Sequence, residues 1–119
     1  MEDYRAWAES VLQKVREKME WVSEKNRDKI PYTTDERGDY DDRSDENRTW
    51  RVDDGINWWT NGFWGGIMWL LYQDTKEERY AQIARVSERK MEKCFDMYYG
   101  LHHDVGFMLV PTAVADWRL

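Results

Sequence analysis

Apolar residues recur every three or four positions along the start of the chain, the spacing that places them on one face of a helix. This first segment runs from Tyr4 to Val22 and is expected to fray near Asn26, because Pro31 prevents a helix from continuing through Ile30. Its predicted apolar face consists of Tyr4, Trp7, Val11, Val15, Met19 and Val22. The pattern predicts an amphipathic first helix.

A second helical segment follows a turn that contains glycine, and it is apolar on every side. Thr60 or Asn61 is placed to cap its start. The apolar run consists of Ile67, Met68, Trp69, Leu70, Leu71 and Tyr72. Such a helix is expected to be surrounded by protein. Gly62, Gly65 and Gly66 lower helix stability, so we expect them to allow close approach of the backbone to another helix or to a ligand.

A third helix is predicted after Thr75 and Glu78, which fit a capping box. One face carries Tyr80, Ile83, Ser87, Met91, Cys94 and Tyr98, whereas the opposite face is polar. Gly100 is placed to end this helix. A last helical segment follows Asp104, with a kink or restart at Pro111. The sequence therefore predicts an all-α fold of about four helices.

Residues 26–57 form a long polar stretch that is rich in acidic side chains and shows no helical or alternating period. One interpretation is a cation site built from Asp39, Asp41, Asp42 and Asp45. The spacing of a calcium-binding loop, with its central glycine and terminal glutamate, is not met. A solvated acidic loop is therefore the preferred interpretation, and no metal is expected.

The length of 119 residues favours a single unit, residues 1–119, rather than two domains. A net charge of −6 would be repelled by nucleic-acid phosphates and by anionic lipid, so neither nucleic acid nor a membrane is an expected partner. The acidic, amphipathic start resembles neither a signal peptide nor a membrane span. The single cysteine, Cys94, fits a reducing, cytoplasmic location and a buried position on the third helix.

Two clusters of side chains stand out as candidates for chemistry. Core packing accounts for Trp64 and Trp69, but Trp58 and Trp59 precede the second helix, where an indole can stack on the face of a sugar ring. Asp104 is the leading catalytic candidate, although the local sequence alone favours a role as a helix N-cap. His102 and His103 are adjacent, so their side chains are expected to diverge and to share no metal.

The two clusters together carry a resemblance to a known family. Residues 59–70 read W-T-N-G-F-W-G-G-I-M-W-L, and residues 102–107 read H-H-D-V-G-F. In this order and at this separation they resemble the N-terminal part of the unsaturated glucuronyl hydrolases, glycoside hydrolase family 88. The pattern of that family reads approximately W-T-D-G-F-W-x-G-x-x-W-L followed by H-H-D-x-G-F. The likeness is clearest over residues 56–117.

The resemblance implies a fold, an activity and a set of site residues. The fold would be part of an α/α barrel of six helical hairpins, a partial α/α toroid. The activity would be release of a 4,5-unsaturated uronic acid from oligosaccharides that polysaccharide lyases leave behind, through hydration of the double bond and without a cofactor. Asp104 matches one of two essential acids of the family, His103 a substrate-contacting histidine, and Trp59 a stacking tryptophan.

Two departures from the family pattern change these expectations. Asn61 stands where better-known members have Asp, and with Trp58 it completes the candidate substrate-binding set. The second acid lies beyond Leu119 in the family, so we expect this chain to be inactive or weakly active by itself. Two non-catalytic alternatives stay open. One is a helical protein that pairs with a second copy if the chain end is genuine, and the other is a carbohydrate-binding protein that keeps Trp59 and His103.

Overall fold

The computed structural model describes residues 4–44, 55–98 and 100–119. Its elements are α1 (Tyr4–Lys25), a 3-10 turn (Trp59–Asn61), α2 (Gly62–Thr75), α3 (Glu78–Asp96), α4 (Val105–Leu109), a π-helical segment (Val110–Val114) and α5 (Ala115–Arg118). Within these three ranges no strand forms, and Thr34 and Tyr40 make an isolated bridge. The predicted all-α fold class is confirmed, and it is compatible with a partial α/α toroid.

The main core lies between α2 and α3. The two-residue connection between them includes Lys76 in the left-handed conformation, φ 61°, which ends α2 and makes the two helices neighbours. The buried residues here are Val22, Trp64, Met68, Trp69, Leu71, Tyr80, Ala81, Ile83 and Ala84. The core positions predicted for Trp64, Trp69 and the first part of α3 are therefore confirmed.

Helix α1 forms where it was predicted, but most of its apolar face is not covered. Val22 is buried and Met19 packs partly against the main core, whereas the side chain of Trp7 is 67% exposed. Arg16 anchors the middle of the helix, because its guanidinium donates to both carboxylate oxygens of Asp74 at 2.7 and 2.8 Å. The amphipathic pattern thus predicted the helix correctly, while burial is restricted to its last turns.

Helix α2 is not surrounded by protein, contrary to the expectation from its composition. Phe63, Ile67 and Leu70 form a stripe on one side that faces outward, and Leu70 is 67% exposed. The opposite side carries the buried residues. None of the helices in the described ranges has the combination of length and hydrophobicity that a membrane crossing requires.

The end of α3 also differs from the prediction. The helix ends at Asp96, and Tyr98 follows with φ 53° and an exposure of 82%, so this tyrosine is not on the buried face. Gly100, with φ 61°, lies four residues beyond the helix end. At the start of α3 the N-cap is Glu77. The Thr75 hydroxyl accepts the N–H of Glu77 and donates to Leu71, so the predicted capping box does not form.

The polar stretch that precedes α2 is fixed to the body of the protein by two isoleucines. Ile30 and Ile56 are fully buried in a second core cluster with Met91, Cys94 and Met108. The predicted burial of Cys94 is confirmed. The stretch contains no periodic apolar pattern, which is why the sequence did not reveal that it packs on the core.

Acidic residues of this stretch serve as acceptors for its own backbone. Asp41 accepts the N–H groups of Tyr32 and Thr33 at 2.9 Å. Burial alone would raise the pKa of Asp42, but hydrogen bonds from the hydroxyl of Ser44 and from the N–H groups of Ile30 and Ser44 hold that pKa below its usual value. Asp45, the fourth member of the proposed cation site, lies outside the described residues.

Residues 105–118, here called the C-terminal helix, form one continuous helical run. Pro111 has no N–H to donate, and the helix widens into the π-helical segment around it, where the Thr112 hydroxyl donates to the carbonyl of Met108 at 2.5 Å. The break predicted at Pro111 therefore takes the form of a π-helical segment.

The C-terminal helix approaches the backbone of α2 because glycine leaves room for it. A Cβ atom placed on Gly62 would lie 2.4 Å from the carbonyl oxygen of Phe107 and 2.7 Å from the Cα atom of Met108. Two further glycines meet the same helix: Gly65 lies against Thr112 and Gly66 against Pro111, and each would place a Cβ atom 2.8 Å from the facing side chain. The predicted close approach of α2 to another helix is confirmed.

A polar cluster joins α2, α3 and α5 on the other side. The indole N–H of Trp69 donates to a carboxylate oxygen of Glu88 at 2.8 Å, and Arg85 donates to both oxygens of Asp116 at 3.0 and 3.2 Å. Burial raises the pKa of the Glu88 carboxyl above its usual value of 4.5. The bond from Trp69 opposes this shift, while the nearby Asp116 adds to it.

We predict that Gly62→Ala separates the C-terminal helix from α2. The added methyl group would overlap main-chain atoms that cannot move independently, so the free energy of unfolding should fall by about 3 kcal/mol or more. Gly106→Ala is the matched control, because its Cβ atom would meet nothing within 4 Å. That control should be neutral or stabilising, by up to about 1 kcal/mol. Urea unfolding followed by circular dichroism measures both, and equal stability of the two variants would contradict the packing described.

A second prediction concerns the pH dependence of stability. The pKa of Glu88 is higher in the folded state than in the unfolded chain. Between the unfolded value of 4.5 and the raised folded value, the folded state therefore binds a proton that the unfolded chain has released. The contribution of Glu88 to the free energy of unfolding thus falls as pH rises through this range. Glu88→Gln removes the ionisation and keeps an oxygen that can accept the Trp69 N–H. Relative to the wild type, this variant should therefore gain stability as pH increases from 4.5 and then level off.

The control for this measurement is Glu92→Gln, an exposed position on the same helix. Thermal unfolding of the three proteins at a series of pH values gives the comparison. An unchanged stability difference between Glu88→Gln and the wild type across the series would show that burial of Glu88 does not couple to folding.

Candidate functional site

Three aromatic rings from distant parts of the sequence form a cluster at the start of α2. The ring centroid of Trp59 lies 5.7 Å from Phe63 and 5.5 Å from Phe107, and the two phenylalanine rings are 6.2 Å apart. All three pairs have the edge-to-face arrangement that aromatic rings favour. Trp59, Phe63 and Phe107 are here called the aromatic cluster. It brings the two sequence motifs into direct contact.

Trp58 extends the aromatic cluster on one side. Its ring lies 6.3 Å from Trp59 and 6.1 Å from Tyr32. The indole nitrogen of Trp58 is buried and finds no hydrogen-bond partner within the described ranges. Trp58 is thus partly enclosed by neighbouring rings, and Trp59 is the tryptophan that contacts the C-terminal helix.

Asn61 supports the aromatic cluster from below the surface. Its side chain is fully buried, and its amide nitrogen donates to the carbonyl oxygens of Gly55 and Ile56 at 2.9 Å each. Although it is the N-cap residue of α2, its side chain makes no capping bond, contrary to the prediction. In the described chain Asn61 fixes the turn that carries Trp58 and Trp59, and direct contact with a substrate stays a prediction.

The amide of Asn61 also gives a physical meaning to the departure from the family pattern. An aspartate has no N–H and could not donate to two backbone carbonyls when ionised. It would therefore need a different arrangement of residues 55–57. The replacement of Asp by Asn in this chain is consistent with a turn held by two donated hydrogen bonds.

The motif that contains the histidines forms an irregular turn before α4. The carbonyl of His102 accepts the N–H of Val105 at 3.1 Å, and the Nδ1 atom of His102 accepts the N–H of Asp104 at 3.2 Å. In this turn the two imidazole rings lie close to each other, with centroids 5.8 Å apart. The expectation that these side chains diverge is wrong, because it assumed a regular backbone.

Asp104 occupies the N-cap position of α4, but its carboxylate makes no capping hydrogen bond. The carboxylate oxygen instead lies 3.3 Å from the Nε2 atom of His103, and the side chain is 33% exposed. The local sequence favoured a capping role, and the structure leaves this carboxylate accessible and directed to a histidine.

A shallow groove of about 420 Å³ connects His103 to the aromatic cluster. Its lining residues are Phe63, His103, Gly106, Phe107, Val110 and Pro111. The walls are apolar and one side chain at the rim is polar, a composition typical of small-molecule sites. His103 was predicted from the sequence, whereas Phe63 and Phe107 were not, although both belong to the two motifs that carry the resemblance.

Sequence comparison confirms the resemblance to unsaturated glucuronyl hydrolases. Over 75 residues, 62% of this chain, it is 36% identical to the unsaturated glucuronyl hydrolase of Bacillus sp. (strain GL1), of which the match covers 20%. It is 32% identical over 74 residues, 61% of the chain, to the unsaturated chondroitin disaccharide hydrolase of Streptococcus agalactiae serotype III (strain NEM316), covering 18% of that protein.

A similar match links the chain to the unsaturated chondroitin disaccharide hydrolase of Streptococcus pyogenes serotype M1. It has 32% identity over 62 residues, 51% of this chain and 16% of the relative. The chain therefore spans about a fifth of the length of these curated relatives, or less. No family model matches the chain, and no solved structure matches it significantly.

Proposed function

We propose that this chain forms a sugar-binding part of an unsaturated glucuronyl hydrolase-like site and supplies one of its acids. The observation that carries the proposal is the contact between the two motifs, in which Trp59 and Phe107 meet with ring centroids 5.5 Å apart. Phe107 follows Asp104 by three residues, about one helical turn. His103 lines the groove with Phe63 and Phe107. Trp59 contacts both phenylalanine rings, and Asp104 contacts His103, but neither of these two residues is among those that line the groove.

Each group has a chemical role in binding an unsaturated uronic acid. The face of Trp59 can stack on the sugar ring, whose C–H groups offer an apolar surface. His103, with its side chain 89% exposed, can donate a hydrogen bond to a carboxylate or hydroxyl of the sugar. These two contacts need no metal and no cofactor.

The reaction that we propose is hydration of the C4=C5 double bond. Asp104 would accept a proton from the attacking water while a second acid delivers a proton to the double bond, and the resulting hemiketal then opens and releases the shortened sugar. Glycoside chemistry of this kind depends on two groups with different protonation states. Asp104 is the acid that we assign in this chain, so binding is a more direct test than turnover.

We predict that the chain binds a disaccharide that ends in an unsaturated uronic acid, such as one from chondroitin, and that Trp59→Ala weakens binding. Loss of the stacking surface should reduce affinity about tenfold, equivalent to about 1.4 kcal/mol. Isothermal titration calorimetry gives both affinities. Trp21→Ala, an exposed tryptophan on α1, is the matched control and should leave affinity unchanged.

Asp104→Asn separates binding from chemistry in the same experiment. This variant keeps the shape of the side chain but cannot accept a proton. It should therefore bind the disaccharide in the calorimeter, whereas any turnover, followed as loss of the ultraviolet absorbance of the C4=C5 double bond, should stop. Equal affinities for Trp59→Ala, Trp21→Ala and wild type would contradict the assignment of the groove.

A second candidate function, self-association, is favoured by the exposed side of α2. An apolar groove of about 810 Å³ runs between this side and the C-terminal helix. Its lining includes Phe63, Ile67, Leu70, Val110, Pro111 and Leu119. Contiguous apolar surfaces of this kind usually mark interfaces. A second copy of the chain, related by a two-fold axis, could cover the same groove on both partners.

We predict that Leu70→Glu shifts the chain towards a monomer. A carboxylate at the centre of the apolar groove would have to be buried without a partner on association, which costs several kcal/mol. Sedimentation velocity over a range of concentrations measures the effect. Val11→Glu, on the exposed side of α1, is the control and should not change association. A wild-type chain that stays monomeric at every concentration would contradict this second candidate.

A further inference from the structure

Three potential metal ligands converge in the turn before α4. One ligand atom each from His102, His103 and Asp104 can be chosen so that all three lie within 4.8 Å of one another. His103 Nε2 and Asp104 Oδ2 are 3.3 Å apart. Ligands of a tetrahedral zinc ion, with bonds of 2.0–2.1 Å, are separated by about 3.3 Å. One pair already has this separation.

The local backbone explains why these donors are available. Asp104 makes no capping bond to α4, so its carboxylate is not occupied by helix N–H groups. The Nδ1 atom of His102 accepts a hydrogen bond from the Asp104 N–H. Because a neutral imidazole has one nitrogen lone pair to offer, this bond would be released when His102 binds an ion. The side chain of His103 is 89% exposed and can therefore rotate to close the remaining separation without disturbing the core.

We infer that His102, His103 and Asp104 bind a borderline divalent cation, with Zn²⁺ as the ion that fits best. Two imidazoles with one carboxylate suit zinc, nickel and copper, whereas calcium and magnesium favour sets made of oxygen atoms. Three protein ligands leave at least one coordination position for water or another small ligand. That position would face the solvent beside the shallow groove that His103 lines.

This metal site would regulate the proposed function, since it uses His103 and Asp104. A bound ion would occupy the carboxylate that the hydration reaction requires free, so Zn²⁺ and the unsaturated sugar should compete. The competition rests on the proposed function, but binding of the metal does not.

The composition of the chain makes the test simple. The chain has two histidines, both in this turn, and its one cysteine is fully buried. Titration of the full chain with zinc chloride, followed by calorimetry and by NMR of the imidazole protons, should give one binding event that shifts both imidazole signals. The matched comparison is His103→Ala and Asp104→Asn against Glu36→Gln, which removes a charge in the acidic stretch.

Each ligand variant should weaken Zn²⁺ binding at least about tenfold, because loss of even an outer-shell partner typically costs 10–100-fold. Glu36→Gln should bind as the wild type does. His103 is exposed, so its variant is expected to fold, and circular dichroism checks this. Unshifted imidazole signals, or equal affinity of His103→Ala and wild type, would overturn the metal site and leave a simple contact between His103 and Asp104.

Titration of the disaccharide without zinc distinguishes the two proposals. Sugar binding without zinc binding would overturn the metal site alone. Zinc binding without sugar binding would overturn the proposed function and keep the metal site.

Discussion

The close contact between the backbone of α2 at Gly62 and the backbone of the C-terminal helix is the constraint on which the rest of the structure depends. A Cβ atom at this position would lie 2.4 Å from a carbonyl oxygen, so only glycine allows the two helices to meet there. This contact fixes the position of Phe107 along the axis of α2, and therefore its distance from Trp59. It thereby determines that the two distant motifs form one surface.

The accessible carboxylate depends on the turn that leads into the C-terminal helix. The turn that precedes the C-terminal helix is held by local hydrogen bonds to His102. Asp104 is then left without a capping bond and lies against His103. The packing contact at Gly62 thus accounts for the aromatic cluster, whereas the local turn accounts for the exposed imidazole and for the carboxylate beside it.

The sequence predicted local structure well and burial less well. The periods of three and four residues located α1 and α3, and the apolar run after a glycine-containing turn located α2, since these signals depend on side chains of the helix itself. Whether Leu70 or Trp7 is covered depends on what packs on the helix, and the pattern carries no such information. Ile30 and Ile56 were missed for a related reason, because single buried residues in an irregular stretch have no period.

The candidate site was predicted only in part. The motifs identified Trp59, His103 and Asp104, whereas the convergence of the histidines depended on an irregular backbone that adjacency in sequence could not reveal. The role of Asn61 in the turn required the positions of the Gly55 and Ile56 carbonyls. Sequence propensities predict the local conformation of each residue, whereas the site is formed by contacts between segments that are distant in sequence.

The most direct measurement of the central claim is the nuclear Overhauser effect between the side chains of Trp59 and Phe107 in the free protein. Docking of the C-terminal helix on α2 predicts cross-peaks between indole and phenyl protons, together with cross-peaks from Gly62 to Met108. Absence of both sets, in a chain whose α2 and α3 are otherwise folded, would contradict the account.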